Sequence, residues 1–263
     1  MNLTRTIAMA LFALAGVPSA YAADMPLKAP VAPPAWTWSG FYLGAHVGYG
    51  WLRSTDEITP ADAPSAAFLI NNTVPTSIPL DSRGVLGGLQ VGYNWQALPN
   101  WVFGIEADIA GTDFHNAVIA PNPVGGRPMF VAEQLNWLGT LRARLGFTPT
   151  NRLLVYGTGG LAYGHANLST ALGNINGCAG NNCQAGAVST WRTGWAAGVG
   201  AEWAFLNDWT ARVEYLHFDL GSLSHTMVNP PFVFVFNAQA RLQGDIVRVG
   251  MNYRFGGPVV ARY

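Results

Sequence analysis

The sequence predicts an all-β fold: an eight-stranded antiparallel up-and-down transmembrane β-barrel with short periplasmic turns and long extracellular loops. Three observations lead there. Eight stretches alternate bulky apolar residues with glycine or polar ones, as in residues 41–51 (FYLGAHVGYGW) and 101–109 (WVFGIEADI). Period-2 alternation over about ten residues marks a strand with one apolar and one polar face. The connections between these stretches alternate short and long, the asymmetry of an outer-membrane barrel. Finally, a secretion signal opens the chain, and no later run reaches the roughly 18 apolar residues of a transmembrane helix.

The signal occupies residues 1–22. Arg5 supplies a positive start, residues 7–17 (IAMALFALAGV) an apolar core, and Ala20-Tyr21-Ala22 a small-x-small cleavage site. No cysteine lies near that site, which argues against a lipoprotein. Residues 23–37 are proline-rich without alternation and read as an extended, mobile periplasmic tail. The barrel domain is assigned to 38–263.

Composition supports a membrane setting. Of the 263 residues 50% are hydrophobic, 12% aromatic and only 11% charged, against roughly 25% charged in soluble domains. A soluble surface so poor in charge would associate. Lys28 is the sole lysine and net charge is zero, so nucleic acid is not an expected partner. Cys178 and Cys183, with four residues between them in an exported chain, predict a disulfide across a tight loop.

The alternation places strands near 39–52, 85–95, 101–111, 135–147, 153–165, 191–205, 209–220 and 245–255. Short turns fall at 96–100, 148–152 and 206–208, and long connections at 53–84, 112–134, 166–190 and 221–244. Centring the first and third short turns pairs Trp95 with Trp101, Gln90 with Glu106, Phe205 with Trp209 and Glu202 with Arg212. Aromatics beside the turns match the girdle at a membrane–water interface.

Alternation alone does not say which face points inward, because a soluble barrel has the same period in opposite phase. The polar face decides it. In the fourth strand Leu135, Trp137, Leu141, Leu145 and Phe147 oppose Asn136, Thr140, Arg142, Arg144 and Gly146. In the eighth, Val247, Val249, Met251, Tyr253 and Phe255 oppose Arg248, Gly250, Asn252 and Arg254. Across all strands the polar face carries the acids Glu106, Asp108, Glu202 and Glu214, and the arginines Arg142, Arg144, Arg212, Arg248 and Arg254. The planar guanidinium suits paired, buried carboxylates, and an eight-stranded barrel is only wide enough for side chains to fill. The expectation is polar-in and apolar-out, with these nine residues as a luminal ion-pair network.

Several motifs carry a family resemblance. Trp-Ser-Gly-Phe-Tyr-Leu-Gly (38–44) runs into His-Val-Gly-Tyr-Gly-Trp (46–51). Gly-Gly-Leu-Gln-Val-Gly-Tyr-Asn-Trp (87–95), Gly-Ile-Glu-Ala-Asp (104–108) and Gly-Thr-Leu-Arg-Ala-Arg-Leu-Gly (139–146) follow. Tyr-Gly-Thr-Gly-Gly-Leu-Ala-Tyr-Gly (156–164) and Val-Arg-Val-Gly-Met-Asn-Tyr-Arg-Phe (247–255) complete the set. The chain resembles the small alphaproteobacterial outer-membrane proteins, the immunogenic or porin-family barrels related in architecture to the OmpA transmembrane domain. The resemblance spans essentially every expected strand. It implies a barrel in the Gram-negative outer membrane, in contact with lipid and lipopolysaccharide, assembled by the barrel-assembly machinery and offering its loops to host or surface ligands. Some members are described as pores or haem-binding proteins, a role this sequence does not specify. The chain departs from common barrels in continuing past Phe255 to Tyr263; either aromatic is a candidate assembly signal.

Other chemistry finds little support. The less favoured function is an enzyme that modifies outer-membrane lipid, and for it the pairs His165 with Ser169, and His225 with Ser222 or Ser224, are the only local approaches to a hydrolytic arrangement, all at or in long loops. Glu106 and Asp108 at i, i+2 follow from the strand period and serve the luminal arginines. Asp56, Glu57 and Asp62 match no calcium-loop spacing, and no phosphate-binding loop is present. No catalytic residue, cofactor or metal is expected. Residues 232–236 (FVFVF) read as an upward extension of the barrel strands in preference to an adhesive apolar patch. The two leading functions are a structural surface barrel with a plugged lumen and a narrow channel for small hydrophilic solutes.

Overall fold

The computed structural model describes residues 36–122, 124, 128–173, 184–229 and 232–255. The signal, most of the tail, the cysteine pair and the C-terminal residues 256–263 lie outside them. Eight strands form a closed antiparallel barrel in chain order: β1 (Gly40–Pro60), β2 (Ser77–Leu98), β3 (Trp101–Ala120), β4 (Met129–Thr150), β5 (Leu153–Leu172), β6 (Gln184–Ala204), β7 (Trp209–Asn229) and β8 (Phe232–Phe255). Closure comes from β1 and β8, with Phe41 opposite Phe255 and Trp51 opposite Asp245. Each strand therefore has both edges paired, as a lipid-exposed sheet requires.

The strands are 20–24 residues long, about twice the 9–11 that cross a bilayer. On the outer wall of β1, Phe41, Leu43, Val47, Tyr49 and Trp51 are exposed and apolar, and the charged Arg53 follows. Two aromatic rings bound this band. The periplasmic one includes the edge-on pairs Phe41–Tyr93, Trp101–Phe147 and Trp209–Tyr253, with ring centroids 5.1–5.4 Å apart. The outer one includes Tyr49, Trp51, Trp137, Trp191 and Trp195.

Above the outer ring the hydrophobic phase inverts. In β1 the inward positions change from Gly44, His46 and Gly48 to Leu52 and Ile58, while the outward ones become Arg53, Thr55 and Glu57. In β8, Phe236, Ala238, Ala240 and Leu242 are buried, and the alternate Gln239 and Arg241 are exposed. The upper half is thus built as a soluble barrel, apolar inside, with Leu80, Phe114, Met129 and Leu135 at its centre. The segments expected to be long loops are mostly these strand extensions, including 232–236. Water outside the upper wall, rather than lipid, reverses which face must be apolar.

A short helix, α1 (Ala63–Ile70), covers part of the outer end. Asp62 caps it by accepting from the Ser65 backbone N–H at 2.7 Å, and Pro64 sits in its first turn. The same cap binds the top of β8, since the Val235 N–H donates to Asp62 and to the Ser65 hydroxyl. Phe68 packs edge-on against Phe234.

Two expectations need correcting at the periplasmic end. In β2–β3, Gln90 pairs with Asp108 and Trp95 with Phe103, two residues from the expected register. The strand runs on through a bulge to Leu98, where the Gln96 side chain turns to hold the Pro99 carbonyl and the Trp38 N–H. A two-residue slip leaves every side chain on its expected face. Trp36 and Thr37, read as tail, instead pack beneath the barrel. Trp38 is 1% exposed against Val102, Leu154 and Tyr156, with Trp36 edge-on to it.

Candidate functional site: the charged layer of the lumen

Between the two aromatic rings the inner wall carries a compact charged cluster. Strand period places its members inward; register then sets Glu106 opposite Arg142, Glu202 opposite Arg212 and Glu214 opposite Arg248. Eight of the nine expected residues come together: four acids and four arginines, each at most 5% exposed. Their charges balance.

Arg142 is the hub. Its guanidinium donates to Glu106 at 2.7 Å, Asp108 at 3.1 Å, Glu214 at 2.8 Å, Thr140 at 2.8 Å and Thr158 at 2.7 Å. Arg248 binds Glu214 at 2.6 Å and reaches Asp108 at 3.2 Å. Arg212 lies opposite Glu202 in register, yet its guanidinium donates to Glu106 and to Gln90 across the lumen. Glu202 is met instead by Arg144, Thr210 and Asn252. Each acid therefore contacts at least one guanidinium, the condition under which buried charge is tolerated.

Inward polar residues beyond the nine expected ones complete the network. Tyr42 donates to Glu106 at 2.7 Å. His46 meets Gln90, which donates to Asn252 at 2.6 Å, and Asn252 donates to Glu202 at 2.9 Å. Arg144 lies 3.6 Å over the centre of the Tyr156 ring, a cation–π contact.

Arg254 stands apart from this layer. It sits at the periplasmic mouth, 4.2 Å over the Trp36 ring and donating to the Ser39 carbonyl. Two residues separate it from Asn252 along β8, enough to carry it below the acids.

The inner-wall glycines are occupied by their neighbours. A Cβ on Gly92 would meet the Tyr42 ring at 2.3–2.4 Å, one on Gly200 the Tyr156 ring at 2.6 Å, and one on Gly44 the Asn252 side chain at 2.1 Å. Glycine here admits side chains from adjacent strands.

The candidate chemical groups do not assemble as a hydrolase needs. His165 lies 3.5 Å from Ser189 on β6, not beside Ser169. The ring nitrogens of His225 are buried without a partner. Asp56 points inward, Glu57 outward, and Asp62 caps α1, so these three do not converge. Among the described residues no cluster of three or more His, Cys, Asp or Glu can hold a metal. A contact not foreseen lies on the outer wall, where Asp245 accepts from Tyr215 at 2.6 Å and His217 at 2.8 Å and pairs with Arg53 at 3.3 Å. The chain separates these partners by about 30 residues or more, so no local pattern signals them.

A closed eight-stranded barrel with a lipid-facing apolar belt, aromatic rings and a charged interior defines an outer-membrane barrel protein. The chain belongs to the outer membrane protein β-barrel domain family, whose model matches residues 8–255, and it resides in the Gram-negative outer membrane. It is 35% identical to the 31 kDa outer-membrane immunogenic protein of Brucella melitensis, over 95% of this chain and all of that one. The 25 kDa outer-membrane immunogenic protein of Brucella abortus is 27% identical over 90% of this chain and 91% of its own. Among solved structures, the outer membrane protein OprG of Pseudomonas aeruginosa matches with a TM-score of 0.50 at 13% identity, covering 83% of this chain and 97% of that one. That likeness concerns the fold.

Proposed function

We propose that the protein is a structural, surface-exposed barrel whose lumen is plugged and whose outer half presents antigenic and adhesive surface. The observation that carries this reading is the charge-balanced layer, in which four guanidiniums and four carboxylates fill the membrane-height lumen at no more than 5% exposure each. A hydrated solute crossing there would have to separate ion pairs in a confined, low-dielectric space, where such pairs are strong. The immunogenic names of the relatives support the surface role. The apolar belt meets membrane lipid, the outer rim meets lipopolysaccharide, and Phe255 at the end of β8, 53% exposed, is the aromatic offered to the assembly machinery.

Planar-bilayer recording of the purified protein tests it. Wild type is expected to give no stable stepwise conductance at physiological salt. Glu202→Ala or Arg212→Ala should raise conductance by removing part of the plug. Stable wild-type steps would establish the narrow channel instead.

A further inference from the structure

The upper half of the lumen contains two acids that the charged layer does not explain. Asp56 on β1 and Glu133 on β4 are 0% and 2% exposed, within the apolar core above the membrane. Thr170 on β5 donates to one Asp56 oxygen at 3.2 Å. The other Asp56 oxygen and both Glu133 oxygens are buried without a hydrogen-bond partner, as are the hydroxyls of Ser54 and Ser82. Ser54 lies beside Glu133 without the alignment of a full hydrogen bond.

Among the described residues no counter-charge is at hand. The charged groups of β1, β2 and β8 at this height, namely Arg53, Glu57, Asp81, Arg83 and Arg241, face the outer wall. On β3, Asp113 and His115 pair with each other outside. On the facing β6 and β7, Arg192 and His225 make no ion pair with either acid among the described contacts, and Asp62 of the α1 cap is spent on Ser65 and Val235. Two ionised carboxylates in this setting would be buried, unpaired charges.

We propose that Asp56 and Glu133 form a proton-operated latch: protonated, they let the outer half of the barrel close around its apolar core, and ionised, they loosen it. Burial pushes Asp56 up to about 6. Burial, with a smaller contribution from the Asp56 charge, pushes Glu133 up to about 7. A carboxyl that holds its proton more tightly in the closed state stabilises that state most fully below the ordinary carboxylate range. The stabilisation is then lost as pH rises through about 6 to 7. The latch is tight in mild acid and slack above neutrality.

Hydrogen exchange of the full mature protein in liposomes, corrected for intrinsic pH dependence, tests the latch. Segments 52–60 and 129–135 should lose at least about tenfold in protection between pH 5.5 and 8.0, a tenfold change per unit per titrating group. Segments 41–51 and 139–147 should not change. Asp56→Asn with Glu133→Gln should abolish the difference; if that pair does not fold, Glu133→Gln alone should shrink it and shift it towards lower pH. Equal wild-type protection at both pH values, or an undiminished difference in the variants, would overturn the latch. So would full restoration at pH 8.0 by millimolar calcium, which would make the cluster a metal site.

Discussion

The membrane-height and outer halves of this barrel share strands and topology, yet their interiors are opposites. Below the ring of Trp51 and Trp137, the lumen is ionic and the outer wall apolar. Above it, Leu80, Phe114 and Phe236 fill the lumen, and Arg53, Glu57 and Arg241 line the outside. The difference teaches that solvent, not fold, assigns the faces of a barrel strand. Where lipid lies outside, apolar side chains go out and the lumen must satisfy its polar groups internally; where water lies outside, hydrophobic burial operates as in any soluble domain.

The acids make the same contrast. In the lower layer each carboxylate meets a guanidinium, whereas Asp56 and Glu133 above have hydroxyls at most. Charge in one half is structural cement; in the other it is a conditional liability governed by pH.

The largest test of this contrast is Arg142→Ala. It leaves Glu106, Asp108 and Glu214 short of their shared partner, and removing one member of a buried ionic network costs about 3–5 kcal/mol. The unfolding midpoint in urea should fall accordingly, and the fast-migrating unboiled band on a gel should weaken. A loss near zero would mean that water screens the lower lumen.

Leu80→Ala comes next. A buried leucine truncated to alanine costs about 2–5 kcal/mol through lost burial and the cavity left behind. The damage should fall on the outer half: hydrogen exchange should accelerate in 78–82 and 129–135 and stay unchanged in 139–147. Equal acceleration in both halves would show that they unfold as one unit.

A smaller, local effect is expected from Asp62→Ala. Losing the cap that holds the first turn of α1 and the Val235 N–H should expose 61–72 to protease faster while leaving the barrel band on a gel unmoved. The smallest is Arg53→Ala. The Arg53 side chain is 69% exposed in its pairing with Asp245, so global stability should change by less than about 1 kcal/mol, and added salt should erase the difference.

Much of the lower half was legible in the sequence because one period runs through it. Alternation in 41–51 and 247–255 gave strand, face and depth together, and the mixed charges on the second face gave its direction. The upper half escaped because its alternation persists with the sign reversed. Leu52, Ile78 and Leu80 occupy the parity that carries His46 and Gln90 below, so a search for apolar-out strands ends at Trp51. Only 232–236, with three phenylalanines at one parity, was dense enough to show the extension. The last tail residues, Trp36 and Thr37, depart from the tail reading because they are held by a mouth that exists only once the barrel closes.

Sequence by itself determined that the chain forms strands, which side of each meets lipid, and that nine acids and arginines lie on the inward face. These follow from composition and a period of two, which are local. Tertiary structure decided which acid meets which arginine, sending Arg212 past Glu202 to Glu106 and leaving Arg254 on Trp36. It also set Asp56 and Glu133 in one apolar chamber with no counter-charge among the described residues. Those outcomes depend on register and on the closure of β8 against β1, which bring together side chains far apart along the chain.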